Sequence, residues 1–338
     1  MTAARRPPAV ARVLQRVTAT IRANDMVAPG DLVVVSVSGG PDSTCLLYGL
    51  WHLRRLLKIR LAVFTFDHRL REDSAADVVY VKRLTARLGL AFHHAAATDE
   101  PAKGVSVEAW ATLARKNAAN EVRRAIGASV VAEAHTLDDQ AETVLLNLVR
   151  GTGLEGLAGI DPGSRRSARV QPLLEVERAE VEAFCSALHL RPRRDPMNED
   201  RRLLRAAIRH EVLPQMERAT GRNVKPGIAR TAAVLRVDRD ELAAAAVRAY
   251  LDIAEGERGR EVRLDAKALR ALPPPLALRV IRLAAYDMMS IDDAGPASRE
   301  TLEAVFDLAK GRPGRRRDLP LGRVAVRDRT HVNITREA

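Results

Sequence analysis

Leu32-Val33-Val34-Val35-Ser36-Val37 runs directly into Ser38-Gly39-Gly40-Pro41-Asp42-Ser43. The first six residues are a short apolar run rich in β-branched side chains, the pattern of a strand buried on both faces. A glycine-rich turn and the apolar stretch Leu46 to Leu57 follow, so the segment predicts strand, turn, helix. The alternation recurs. Arg60 to Phe66 predicts a strand, and Ser74 to Leu88 a helix with Val78, Val81, Leu84 and Leu88 on one face. Ala91 to Ala97 and Ser129 to Ala134 predict further strands, alternating with helices over Val107 to Ile126 and Asp139 to Arg150. A helix over Pro8 to Asn24, with Val10, Val13, Leu14 and Val17 at helical spacing, precedes the first strand. Strand and helix alternating at this period predict an α/β fold with a doubly wound parallel sheet. Ligands in such sheets sit outside the carboxyl ends of the strands. Those ends carry Ser38–Ser43, Asp67-His68 and His135–Asp139.

After Gly163-Ser164-Arg165-Arg166-Ser167 the character of the chain changes. A turn at Asp195-Pro196-Met197-Asn198 leads into a basic helical stretch, Arg201 to Met216, and Gly221 to Gly227 reads as a hinge. Alanine-rich helices (Arg230 to Ala254, Asp265 to Met289, Ser298 to Lys310) and a hairpin over Leu319 to Ile334 complete the chain. The expected division is a sheet domain with helical extension over 1–218 and a smaller, mainly helical domain over 222–338.

Glycines let the backbone approach an anion closely, and the N–H groups at a helix start then point at it. Ser38 and Ser43 add hydroxyl donors, and Asp42 among so many donors calls for a metal ion or a polar ligand, and Mg²⁺ carried by a nucleotide supplies that charge. The loop lacks the lysine of a Walker A motif; the bland alternative is a plain glycine-rich turn. At the second cluster, Ala134-His135-Thr136-Leu137-Asp138-Asp139-Gln140-Ala141-Glu142-Thr143, Asp138 is the expected N-cap of the next helix. Asp139 and Glu142, three apart, share a helix face near its positive end and suit a ligand ammonium group. A solvated face or an ordinary capping pair is the alternative for these two.

The loop Ser38–Ser43 resembles the PP-loop of the N-type ATP pyrophosphatases, which split ATP into AMP and pyrophosphate to adenylate a carbonyl oxygen. The stretch from Ala134 to Ile160 (AHTLDDQAETVLLNLVRGTGLEGLAGI) is similar to the signature of the tRNA(Ile)-lysidine synthases. Phe66 to Arg71, Glu108 to Arg115, Gln171 to Arg178, Asp195 to Pro214 and Asp318 to Asp328 support the same family, in its short type. The chain departs from the family pattern at Ala118-Ala119 and at Ala206-Ala207, where the family carries polar residues. The resemblance implies ATP-dependent adenylation of the C2 oxygen of the wobble cytidine in an isoleucine tRNA with a CAU anticodon, followed by attack of L-lysine. It implies ATP binding by Ser38, Gly39, Gly40, Pro41, Asp42, Ser43, Asp67 and His68. Asp42 is the candidate Mg²⁺ ligand, and Asp139 and Glu142 would hold lysine; these three are the candidate catalytic residues. Arg115, Lys116, His135, Arg205 and Arg209 are candidate contacts to the base or tRNA. His68 and His135 have the alternative of an ordinary satisfied histidine at a strand end.

Composition sets the outer limits. The chain has 338 residues and a formal net charge of +12, with seven lysines and 48 arginines. Arginine grips phosphate with a planar fork, and excess positive charge attracts a polyanion. Arg201, Arg202, Arg205 and Arg209 are expected along one helix side, with Arg312 and Arg315 to Arg317 as a second cluster; both are alternatively solvated faces. Cys45 and Cys185 are the only cysteines, with no metal spacing and no disulfide framework, which fits a reducing cytoplasm. The N-terminus lacks an apolar export core, and no run of about eighteen apolar residues exists, so no membrane span or export is expected. The rival expectations are a tRNA thiolation enzyme, an amide-forming ligase acting on a small metabolite, and a non-catalytic RNA-binding relative; a homodimer is left open against a monomer.

Overall fold

A computed structural model describes residues 6–70, 74–99, 101, 106–193, 204–257, 259–287, 298–319 and 322–336. The chain divides into two compact units, Met1–Val234 and Leu235–Ala338. In the first, β1 (Leu32–Ser36), β2 (Arg60–Asp67), β3 (Ala91–Ala96), β4 (Val130–Ala132) and β5 (Arg169–Val170) form one sheet of order β3-β2-β1-β4-β5. Every pairing in it is parallel. The helices are α1 (Pro8–Ala23), α2 (Pro41–Leu57), α3 (Ser74–Arg87), α4 (Val107–Ala125), α5 (Leu137–Val149), the single turn α6 (Leu154–Leu157) and α7 (Arg178–Ala187).

The apolar run that predicted β1 is buried on both faces. Val33 and Val35 join the core made with Val13, Leu14 and Val17 of α1 and Leu46, Leu47 and Leu50 of α2. Val34 faces the other side, with Phe64, Val131 and Ala119 of α4. Burial of each such Val or Leu side chain contributes about 1.5–3 kcal/mol. Ala119, one of the departures from the family pattern, is thus a core residue beneath the sheet. The chain leaves β1 toward β2 on one side while β4 lies on the other. The order therefore reverses at β1, and a crevice opens at the carboxyl ends of β1 and β4.

Beyond α7 the chain enters α8 (Leu204–Ala207), a π-helical turn (Ile208–Val212), α9 (Leu213–Thr220) and α10 (Lys225–Ile253). The expected Asp195–Asn198 turn and the start of the basic helix, including Arg201 and Arg202, lie outside the described residues. The stretch read as a hinge is a helix stop and restart. Gly221 caps α9 in the left-handed conformation, φ +66°, and Gly227 already belongs to α10. The division between the units falls inside α10, at 234/235.

In the second unit the expected terminal hairpin is part of a five-stranded antiparallel sheet. It has the order β6-β7-β10-β9-β8: β6 (Ala254–Glu257), β7 (Glu261–Asp265), β8 (Arg316–Leu319), β9 (Arg323–Arg327) and β10 (His331–Arg336). Helices α11 (Ala266–Ala271), α12 (Pro274–Asp287) and α13 (Arg299–Lys310) accompany it. The single helix expected over Asp265 to Met289 is broken at Leu272, which is extended (ψ 144°) before Pro273. Among the described residues no helix is long and apolar enough to cross a membrane.

Candidate active site

The turn after β1 enters α2 through Gly39 at φ +91°. A side chain is strained in that conformation, and a Cβ there would stand 3.3 Å from the Tyr80 ring. Ser43 Oγ ties the loop together: it accepts from the Ser38 N–H at 3.2 Å, lies 3.1 Å from Ser38 Oγ and donates to the Gly40 carbonyl at 3.1 Å. Pro41 occupies the first turn of α2, where its missing N–H costs nothing. Asp42 follows, and its Oδ1 is buried with no hydrogen-bond partner among the described residues. Its Oδ2 is 3.9 Å from Arg178 Nη2. Burial, reinforced by Asp139 and Asp138 and opposed by Arg178 and Arg209, pushes the Asp42 carboxyl up to about 6. An orphaned carboxylate oxygen beside a glycine-rich helix start fits the hard, partly hydrated coordination that Mg²⁺ takes alongside nucleotide phosphates.

The turn after β4 builds the facing wall. Thr136, not Asp138, is the N-cap of α5. Thr136 is extended (φ −104°, ψ 175°), its Oγ1 accepts from the Asp139 N–H at 3.4 Å, and Asp139 Oδ2 accepts from the Thr136 N–H and hydroxyl at 2.8 Å each. This is a capping box, so the alternative reading of Asp139 as a capping partner holds for one of its oxygens. Asp138, displaced by two residues from the cap, instead accepts from the Arg178 N–H at 2.7 Å and from Lys225 Nζ at 2.9 Å. Glu142, one turn on, has 0% of its side chain exposed.

Three guanidinium groups converge on these carboxylates. Arg209 grips Glu142 with two bonds of 2.6 and 2.8 Å, and Arg205 Nε donates to Glu142 Oε2 at 3.1 Å. The π-helical turn at Ile208–Val212 buries Ile208 in the core and carries Arg209 onto Glu142. Arg178, the first residue of α7, stands 3.3 Å from Asp139, 3.6 Å from Glu142 and 3.9 Å from Asp42. It therefore links the loop after β1 to the helix after β4. Burial raises the Asp139 carboxyl, but Arg178, His135, the Thr136 N–H and Arg205 outweigh it and hold Asp139 below its ordinary value. Two neighbouring carboxyls are thus driven in opposite directions, the condition found where charge chemistry is done.

The remaining predicted residues fall into two places. His135 Nδ1 lies 2.9 Å from Gln171 Oε1, and Gln171 Nε2 donates to Glu133 at 2.8 Å. Burial raises Glu133, but His135, the Gln171 bond, Arg115 and Lys116 together hold it below its usual range. Arg115 and Lys116 of α4 therefore face the His135 end of the site, and Arg115 Nε is buried with no hydrogen-bond partner among the described residues. Asp67 and His68 sit at the carboxyl end of β2, where Asp67 accepts from the Arg69 N–H at 2.9 Å and His68 meets the Phe66 ring edge-on. Arg205 and Arg209, expected along a basic helix side, turn inward to Glu142. Sequence reasoning singled out neither Arg178, Lys225, Gln171 nor Glu133 as a site residue; each lies far along the chain from its partner or reads as an ordinary strand-end polar group.

The model of the PP-loop domain family matches residues 11–216. The tRNA(Ile)-lysidine synthase of Thermobifida fusca is 36% identical over 89% of this chain and 89% of its own length. That of Methylobacterium nodulans is 38% identical over 88% of this chain and 87% of its own. That of Clostridioides difficile is 32% identical over 80% of this chain, which spans only 59% of that relative. The U34-tRNA thiolase NcsA from Methanococcus maripaludis, solved with its [4Fe-4S] cluster, superposes with a TM-score of 0.59 at 18% identity, over 68% of this chain and 79% of that one, and so shares the fold. The glycine turn with its orphaned carboxylate, the buried acidic pair on α5 and the similarity over 87–89% of both chains to the shorter relatives lead to one assignment: this chain belongs to the tRNA(Ile)-lysidine synthase family and is built on a PP-loop domain.

Proposed function

We propose that this protein activates the C2 oxygen of the wobble cytidine of an isoleucine tRNA with ATP and joins the ε-amine of L-lysine to the activated carbon. The observation that carries the reading is the meeting of Asp42 with Asp139 and Glu142 around the single side chain of Arg178. A nucleotide-type loop and an acidic pair suited to an amine share one crevice. Ser38 to Ser43 and the start of α2 would bind the phosphates, and Asp42 would hold the nucleotide's Mg²⁺. The metal would neutralise charge developing on the pyrophosphate as it leaves. An amide-like carbonyl oxygen is a poor leaving group, and its transfer to AMP makes it a good one. Asp139 and Glu142 would position the amine, and Arg115 and Lys116 would meet the RNA. A tRNA substrate makes the cytoplasm the setting. The thiolation alternative is disfavoured by the cysteine count, since two buried thiols fall short of the four thiolates that an iron–sulfur cluster takes.

Pyrophosphate exchange and AMP release, measured with and without tRNA and lysine, test the proposal. Exchange is expected to need tRNA alone, and net AMP release to need both. AMP release with lysine but without tRNA would overturn it.

A further inference from the structure

We infer that Glu133 and Gln171 are positioning residues that lock His135 in its Nδ1–H tautomer and leave Nε2 with the lone pair that takes a proton from the attacking amine. The inference rests on the function just proposed for the choice of amine. Its structural part stands on a three-member chain at the carboxyl ends of β4 and β5.

Glu133 follows β4 and Gln171 follows β5, and both are 6% exposed. The strands hold them in register: the Glu133 N–H donates to the Val170 carbonyl at 2.9 Å, and the Gln171 N–H to Pro162 at 2.8 Å. Glu133 accepts the Gln171 amide hydrogen at 2.8 Å, the arrangement that an ionised carboxylate requires. An ionised carboxylate only accepts hydrogen bonds. Gln171 must therefore present its NH₂ to Glu133, at 2.8 Å, and cannot turn its amide over. Its carbonyl oxygen then faces His135 Nδ1 at 2.9 Å, and a carbonyl only accepts. The Nδ1 atom has to carry the hydrogen. In a neutral imidazole the other nitrogen is then bare, so the choice of tautomer is made two residues away, at the buried Glu133 carboxylate.

A basic nitrogen is what the second half of the reaction lacks. As the amine nitrogen forms its bond to C2, the C2–O bond to AMP breaks and AMP leaves with that electron pair. The nitrogen must shed a proton in the process. Asp139 is held below its ordinary value and is a poor acceptor. Glu142 has both oxygens engaged by guanidinium groups. His135 Nε2 accepts the proton.

The test is the tautomer itself, read from two-bond ¹H–¹⁵N couplings of the full chain labelled with ¹⁵N-histidine, with His135 assigned by its loss in His135→Gln. The expected wild-type pattern at neutral pH is Nδ1–H. Gln171→Leu should move His135 to mostly Nε2–H, and Glu133→Gln should give a mixture. Both variants should slow lysine-dependent AMP release about ten-fold or more with the ATP requirement unchanged. Nε2–H in the wild type, or a pattern indifferent to Gln171→Leu, overturns the inference even if lysidine forms normally. The wild-type spectrum needs no variant to fold and no substrate. Failure of the proposed function would show separately, as absence of tRNA-dependent pyrophosphate exchange.

Discussion

Replacing Asp42 by Asn separates what the site needs from what the fold prefers. The Asp42 carboxyl is pushed from an ordinary 3.8 to about 6 by burial and by the neighbouring Asp139 and Asp138. Below pH 4 it is protonated in folded and unfolded chains alike, and burial has no charge to penalise. Between about pH 4 and 6 the unfolded chain ionises first, so the folded state loses relative stability as pH rises. Above pH 6 the loss is complete. A displacement of about two pH units at 1.36 kcal/mol each amounts to about 3 kcal/mol. Asn keeps the shape without the charge. The variant should therefore come within about 0.6 kcal/mol of the wild type in urea unfolding at pH 4 and exceed it by up to about 3 kcal/mol at pH 7.5. It should at the same time lose AMP release, and Mg²⁺–ATP should stabilise the wild type far more than the variant. Equal stability of the two proteins at pH 7.5, or a gap that does not change between pH 4 and 7, would refute the reasoning. Retained turnover would remove Asp42 from the chemistry.

Glu142→Gln leaves three guanidinium groups around a neutral amide and should cost about 3–5 kcal/mol in chemical denaturation; it should also raise the lysine requirement steeply while sparing ATP binding, and a change in ATP affinity alone would contradict the role. A chain ending at residue 234 should keep ATP binding and lose tRNA affinity. A cut after residue 220 is a poorer test, because it removes Lys225 from Asp138 and Ile228 from the core around Ile208 and Leu213. Tight tRNA binding by the shorter chain, measured by filter retention, would assign recognition to the first unit. Arg315, Arg316 and Arg317 are exposed, and Arg316 pairs with Asp318 at 3.0 Å. Their joint replacement by Ala should flatten the salt dependence of tRNA binding by roughly 0.7–0.9 in log–log slope for each phosphate that is no longer neutralised, and an unchanged slope would make them a solvated surface.

The α/β order was legible because β1, β2 and β4 are apolar runs buried along most of their length, and helices such as α1 keep a 3.6-residue apolar period; β3 is only partly buried, and β5, two residues long, left no signal. The glycine loop was legible for a local reason too, since Ser38 and Ser43 are five residues apart and bond each other directly. Legibility ended where partners are distant. Asp138 and Thr136 are both good capping residues, and only the backbone at Thr136 decides between them. Arg178 meets Asp139 across 39 residues of sequence and Arg209 meets Glu142 across 67, separations over which periodicity carries no signal. Arg205 and Arg209 were read as a helix side four residues apart, which is correct about spacing and silent on which side faces inward. In the second unit β6 and β7 escaped notice because four or five residues, split by a turn at Gly259, are too few to show a period of two against the helices around them.

The cluster described around Glu142 has a consequence for the order of events. Among the described residues, four carboxylates (Asp42, Asp138, Asp139 and Glu142) meet four cations (Arg178, Arg205, Arg209 and Lys225), so these eight side chains balance one another before any substrate arrives. Glu142 has no surface left for a newcomer, and any ammonium that reaches it must evict a guanidinium. An evicted guanidinium is a mobile positive arm beside a phosphate-type loop, and its natural next partner is an anion. Admission of an amine and retention of a phosphate are then two ends of one ion exchange, in which each charge that enters frees the counter-charge the other substrate requires.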